Sequence, residues 1–211
     1  MAGFDSLNAF SSRTDEPEKA SRPFDKDRNG LVPGGGGACL VIEDLDHAVS
    51  RGADIDCIID GYGFSSRIGK NISDPNAAGS VKAMENALKD AGIAPEKIDY
   101  VNAHATSTLS GDLAEAIAIH KVFGPTTPVS STKSMTGHEC WMSGASEVIY
   151  TILMAQNKFI APNINFSSLS DDCPRINVIP AAKQARIDYA ISNSFGFGGT
   201  NAAVVLNFNA T

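Results

Sequence analysis

Apolar and polar positions along this chain follow two periods. Short apolar runs at residues 38–42, 56–62, 99–103 and 128–130 read as strands, the third ending at His104. Near the end, Ile187, Tyr189 and Ile191 alternate, and residues 202–206 are continuously apolar, which predicts two more strands. Between these two lies Asn193-Ser-Phe-Gly-Phe-Gly-Gly-Thr-Asn201, whose glycines predict a hairpin turn. Helical spacing appears elsewhere. Val81, Met84, Leu88 and Ala91 share one face of a helix over 80–91, with Gly92 as its stop. Asp112 is positioned to cap a helix reaching about Phe123, with Leu113, Ala116 and Ile117 inward. A longer helix is predicted over 138–157, with Met142, Ala145, Ile149 and Ile152 as its stripe, and a short one over 45–52. Strands and helices alternate through the middle of the chain, the pattern of an α/β domain. The polar stretch to about Gly79 carries no element, and no repeat or linker divides the chain.

Composition narrows the possibilities. Of 211 residues, 43% are hydrophobic and 19% charged, enough apolar mass for a sizeable core. With 17 basic and 24 acidic side chains, the formal charge is −7, and no basic cluster suggests a nucleic-acid surface. No stretch approaches the roughly 18 to 20 apolar residues of a membrane span. The first residues lack the basic and apolar regions of a signal peptide. Cys39, Cys57, Cys140 and Cys173 are widely spaced, which argues against a zinc site or a disulfide framework and makes a reducing cytoplasm the expected setting. Cys39 and Cys57 lie in apolar runs and read as core, and Cys173 lies in a polar loop. Asp25-Lys-Asp-Arg-Asn-Gly30 imitates the opening of a calcium loop, but Gly36 stands where the closing Glu belongs, so it reads as a tight turn. The run Gly34–Gly37 permits close backbone packing or positive φ, and no Gly-Lys-Ser/Thr follows to make it a phosphate loop.

Three segments hold candidate chemistry. His104 ends a strand in Asn102-Ala-His-Ala-Thr-Ser-Thr108, where side chains of α/β sheets converge on ligands. Ser131-Thr-Lys-Ser-Met-Thr-Gly-His138 sets Lys133 and His138 five residues apart across a turn, facing one cleft. Phe195 and Phe197 flank a glycine in the final hairpin, as side chains that gate an apolar tunnel or simply pack on a neighbour. Two imidazoles donating to one oxygen stabilise an enolate or a tetrahedral oxyanion, chemistry that suits a thioester carbonyl and calls for a nucleophile, typically a cysteine. No metal or other cofactor is implied, since the ligand set is missing.

In their order and spacing, these segments resemble the β-ketoacyl-acyl-carrier-protein synthases (ketosynthases of type I/II) of the thiolase superfamily. Pro17-Glu-Lys-Ala-Ser-Arg-Pro-Phe24, Asp25–Gly30 and the four glycines extend the likeness over essentially the whole chain. The resemblance implies a layered αβαβα sandwich of two similar halves, with residues 1–211 forming the C-terminal half and the half bearing the nucleophilic cysteine absent. It implies a decarboxylative Claisen condensation of an acyl thioester with malonyl-acyl-carrier protein, in fatty-acid or related polyketide or polyene elongation. His104 and His138 would hold the malonyl thioester oxygen, and Lys133 would position the second histidine. Phe195 and Phe197 would gate the acyl tunnel, Thr106 and Thr108 would meet the pantetheine arm, and Glu115 would be a carboxylate near Lys133. The implied partners are an acyl carrier protein with phosphopantetheine-linked groups, a Cys-bearing half or partner chain, and a second copy in a homodimer or heteromer.

The sequence departs from that family in three places. No cysteine sits in the nucleophile's setting. Cys140 comes nearest in interest, at a helix start two residues after His138, where a thiolate can be stabilised. Glu139-Cys-Trp141-Met replaces small residues, with bulk that reshapes the acyl pocket, and Ala105 stands where the family commonly has glycine. A non-catalytic partner resembling a chain-length factor is the alternative. Retention of both histidines and Lys133 argues against it. A thiolase-like degradative enzyme is disfavoured because thiolases pair one histidine with a second cysteine.

Overall fold

The computed structural model describes residues 2–66 and 75–209. Residues 67–74 of the predicted polar stretch lie outside the described residues. One six-stranded sheet organises the rest, in the order β1 (Ile58–Ser66), β8 (Thr200–Asn207), β7 (Tyr189–Phe195), β2 (Tyr100–Asn102), β3 (Pro128–Ser130), β5 (Asn177–Val178). The first three strands are antiparallel, and β7, β2, β3 and β5 run parallel. The predicted hairpin is β7–β8, closed by a 3₁₀ turn at Phe197–Gly199. A separate two-stranded ribbon pairs β4 (Phe159–Ile160) with β6 (Lys183–Gln184).

Alternation along the strands feeds two faces. Val101, Val129, Ile191 and Val205 meet α3 (Ala77–Ala91) and α4 (Leu109–Phe123) through Met84 and Ile119. On the other face Tyr100 and Ala190 meet Met154, and Leu206 meets Val148 and Ile152, all on α6 (Ser143–Gln156). The described residues therefore stack as helix, sheet and helix. α3 begins at Asn76, whose side chain accepts from the Ala78 and Gly79 amides, and ends at left-handed Gly92. Its pressure on β1 explains the strand's glycines. A Cβ on Gly61 would stand 2.2 Å from the Ala87 carbonyl oxygen, and one on Gly63 1.9 Å from that of Ala83.

Several expectations are corrected. Residues 38–42 form no strand: Val41 is 85% and Ile42 70% exposed, and among the described residues no strand pairs with them. Cys39 is exposed rather than core. The short helix is α2 (Leu45–Ser50). α4 starts before Asp112, which lies buried within its first turn, and Ile117 faces outward. The predicted helix over 138–157 is interrupted near its start, because Cys140 (φ 53°) is left-handed. A 3₁₀ turn at Cys140–Met142 precedes α6, whose buried face carries Ser143, Ser146, Glu147 and Thr151 with Val148 and Ile152; Met142, Ala145 and Ile149 are only half-buried. Among the described residues, no helix is long and apolar enough to cross a membrane.

Candidate active site

The end of β2 delivers His104 to a cavity of about 770 Å³. Its backbone amide donates to Glu115 Oε1 at 2.9 Å, so the strand end is tied to α4. The loop beyond it is held by Asp112. That carboxylate accepts from the amides of Thr106 (2.9 Å), Ser107 (3.2 Å) and Phe24 (2.8 Å), with Arg28 3.9 Å away. Asp112 is thus a loop anchor rather than a cap. Burial pushes its carboxyl up to about 6 even against these bonds. The hydroxyls of Thr106 and Thr108 lie 3.1 Å apart on the cavity wall.

His138 arrives by another route. After β3, a single turn of helix, α5 (Lys133–Thr136), ends at Gly137. The His138 amide then donates to the Val32 carbonyl at 2.7 Å, and the Gly34 amide donates to the His138 carbonyl at 2.8 Å. Gly34 is required there, since a Cβ would stand 2.5 Å from the Thr136 carbonyl oxygen. The Cys140 amide donates to His138 Nδ1 at 3.1 Å, with Ser143 Oγ 3.4 Å away. A neutral His138 therefore carries its proton on Nε2. The His104 and His138 rings lie 5.5 Å apart at 84°.

Lys133 is 1% exposed and does not line the cavity; its ammonium is bonded to Glu147, itself fully buried. Burial pushes the Glu147 carboxyl up to about 7, with Lys133 opposing the rise. The ammonium charge also reaches both imidazoles. Burial, then Lys133 and His138, hold His104 well below its usual range, and burial, then Lys133, bring His138 down to about 4. Both rings are neutral at pH 7 and able to donate to a developing oxyanion. Glu115 is bonded to Asn193 Nδ2 at 3.1 Å as well as to His104, lies within electrostatic reach of Lys133, and is pushed up to about 7 by burial. Phe195 packs 6.2 Å from His104, and Phe197 is half-exposed at the cavity edge.

The structure brings His104, His138, Thr106, Thr108, Glu115, Phe195 and Phe197 to one cavity, with Lys133 behind it. Sequence reasoning missed Glu147, although Ser143, Glu147 and Thr151 recur every four residues along the helix, a polar stripe that must find partners when buried. It also missed Phe4 and Leu7 on the cavity wall, in a segment read as polar and broken. Cys140 lines the cavity half-buried, its thiol 3.5 Å from the His138 carbonyl. The calcium-loop look-alike is a turn: Asp25 is fully buried and accepts from Arg22, Asp27, Ser167 and Ser168.

Residues 57–167 match the family described as beta-ketoacyl synthase, C-terminal domain, and residues 1–48 match its N-terminal domain. The chain belongs to the β-ketoacyl synthase family. It is 47% identical over 211 residues to 3-oxoacyl-[acyl-carrier-protein] synthase 2 of Coxiella burnetii, covering 98% of this chain and 51% of the relative. It is 43% identical to 3-oxoacyl-[acyl-carrier-protein] synthase 1 of Escherichia coli K12, covering 96% and 50%. A crystal structure of a beta-ketoacyl synthase from Burkholderia phymatum superposes with a TM-score of 0.93 at 41% identity, covering 98% of this chain and 51% of that one. The ishigamide ketosynthase/chain length factor superposes at 0.89 with 35% identity, covering 98% and 50%. The chain spans about half the length of the curated relatives it matches.

Proposed function

We propose that this chain supplies the histidine-bearing half of a β-ketoacyl-acyl-carrier-protein synthase, with the nucleophilic cysteine carried by the other half or by a partner chain. In this reading a malonyl thioester loses carbon dioxide in the cavity. Its carbonyl oxygen gathers negative charge between His104 and His138, and the carbanion attacks the carbonyl carbon of an acyl group held on that cysteine, breaking the C–S bond and releasing the cysteine as thiolate. Burial keeps the imidazoles neutral, and the Lys133 ammonium, paired with Glu147, adds to it. Asp112 fixes the Thr106–Thr108 loop for the pantetheine arm, Glu115 fixes His104, and Phe195 and Phe197 gate the acyl chain. The observation that carries the proposal is the pair of neutral imidazoles facing one cavity at 5.5 Å.

An acyl carrier protein is the proposed substrate carrier. A type II polyketide acyl-carrier protein in complex with its ketosynthase matches this fold at a TM-score of 0.88 and 32% identity, which supports that partner. A second ketosynthase-like subunit, identical or not, is proposed as well, in a cytoplasmic setting. Likeness to the ishigamide ketosynthase/chain length factor leaves a non-catalytic partner subunit as the second reading.

Malonyl-carrier decarboxylation by the full-length protein separates the two. His104→Ala and His138→Ala should each lower the rate by about 100- to 1000-fold. Unchanged rates in both would favour the non-catalytic subunit. An acyl thioester incubated with this chain should leave no adduct by mass spectrometry, and an adduct on Cys140 would overturn the proposed division of labour.

A further inference from the structure

An aromatic file runs through the cavity wall. Between ring centroids, Phe4 lies 5.6 Å from Phe197 and 6.2 Å from His138 in an edge-on arrangement, and Phe10 lies 6.2 Å from Phe4 without lining the cavity. The two ends of this file differ in how they are held. Phe4 sits on α1 (Ala2–Ser6), a helix of five residues with no buried residue. Among the described residues its hydrogen bonds are local, from Ser6 to Gly3 and from the amides of Asn8 and Ala9 to the carbonyls of Asp5 and Phe4. Phe10 is on firm backbone. It bridges to Leu31, the Leu31 amide donates to the Ala9 carbonyl at 2.8 Å, and the Ser11 amide donates to the Leu31 carbonyl at 2.9 Å. Gly30 packs so closely that a Cβ there would stand 2.5 Å from the Phe10 carbonyl carbon.

We propose that Phe10 is a positioning residue that, through Phe4, seats both the Phe197 gate and the His138 imidazole. This rests on the roles proposed above for Phe197 and His138. The brace couples the gate to the oxyanion donor: when Phe4 leaves its seat, Phe197 loses its neighbour and water gains the edge of His138.

Titration of His138 by NMR in the full-length protein tests the brace without requiring turnover. The groups facing His138 are His104 across the cavity, the Lys133 ammonium, the Cys140 amide and thiol, and the Ser143 hydroxyl; Glu139 is occupied by Ser146 and Tyr150, and Asp5 on α1 is exposed. None of these changes in the variants. Phe4→Ala should raise the His138 midpoint by about half a unit to one unit, toward its ordinary value. Phe10→Ala and the milder Phe10→Leu should raise it in the same direction and by no more. Phe10→Tyr, which keeps the ring, should restore the parent value. The Phe4→Ala/Phe10→Ala double variant should match Phe4→Ala alone, since Phe10 acts through Phe4. An unmoved midpoint in Phe4→Ala, an unmoved midpoint in both Phe10→Ala and Phe10→Leu, or additive shifts in the double variant would each overturn the brace. Failure of the catalytic reading shows separately, as an undiminished decarboxylation rate in His138→Ala.

Discussion

Lys133 and Glu147 illustrate how a buried charge pair sets the chemistry of groups it does not touch. Both side chains are almost wholly removed from solvent. Such a pair adds little net stability over an apolar pair of similar size, but removing one partner strands the other. Glu147→Ala should therefore cost about 3–5 kcal/mol in denaturant unfolding. Lys133→Met combined with Glu147→Leu should recover much of that loss while relieving only the part of the histidines' depression that Lys133 adds to burial. A double variant no more stable than Glu147→Ala would contradict this account. Glu115 gives a pH signature of opposite sign to the histidines. Its folded carboxyl sits at about 7, above the ordinary 4.5. The native state therefore binds the extra proton between these values, and the stability it contributes is present at low pH and lost as pH rises through 7. His138, at about 4 when folded against 6.5 ordinarily, is protonated first in the unfolded chain, so its contribution falls as pH drops below 6.5. Glu115→Gln should lessen the loss on the way up to pH 7, to which the raised carboxyls of Glu147 and Asp112 contribute with the same sign, and leave the acid-side loss in place, as seen by chemical denaturation at a series of pH values.

The contact between β1 and α3 depends on the absence of side chains. Gly63 faces the helix backbone so closely that Gly63→Ala must push strand and helix apart, and it should cost about 1–3 kcal/mol in thermal or denaturant unfolding. A neutral substitution would mean that the sheet edge yields more readily than this packing implies. The same elements show what was legible in the sequence. α3 was readable because its apolar stripe and terminal glycine agree, and the β7–β8 hairpin because two β-prone runs flank a glycine turn. α6 was misread at its start because left-handed Cys140 breaks the backbone without an apolar signal, and at its face because that face is half polar. The run at 38–42 looked like a strand because composition records hydrophobicity but not whether a neighbouring strand is there to pair with it. That His104 and His138 meet at one cavity was legible from the order of their motifs. The partner of Lys133 was not, since Glu147 lies fourteen positions away on a helix whose burial only the fold reveals.

At the scale of the molecule, large apolar side chains remain on the surface. Trp141 is 93%, Val41 85% and Ile42 70% exposed in a chain about half as long as its relatives. Trp141 is also the single tryptophan of this sequence. That makes the indole a built-in optical reporter. Light emitted by this chain on excitation of tryptophan should have the red-shifted maximum of a hydrated indole and be quenched freely by iodide. Binding of the proposed cysteine-bearing half over Trp141 should shift the maximum to the blue and shield it from iodide. If association leaves the emission and the quenching unchanged, the two halves meet somewhere other than the turn that follows His138.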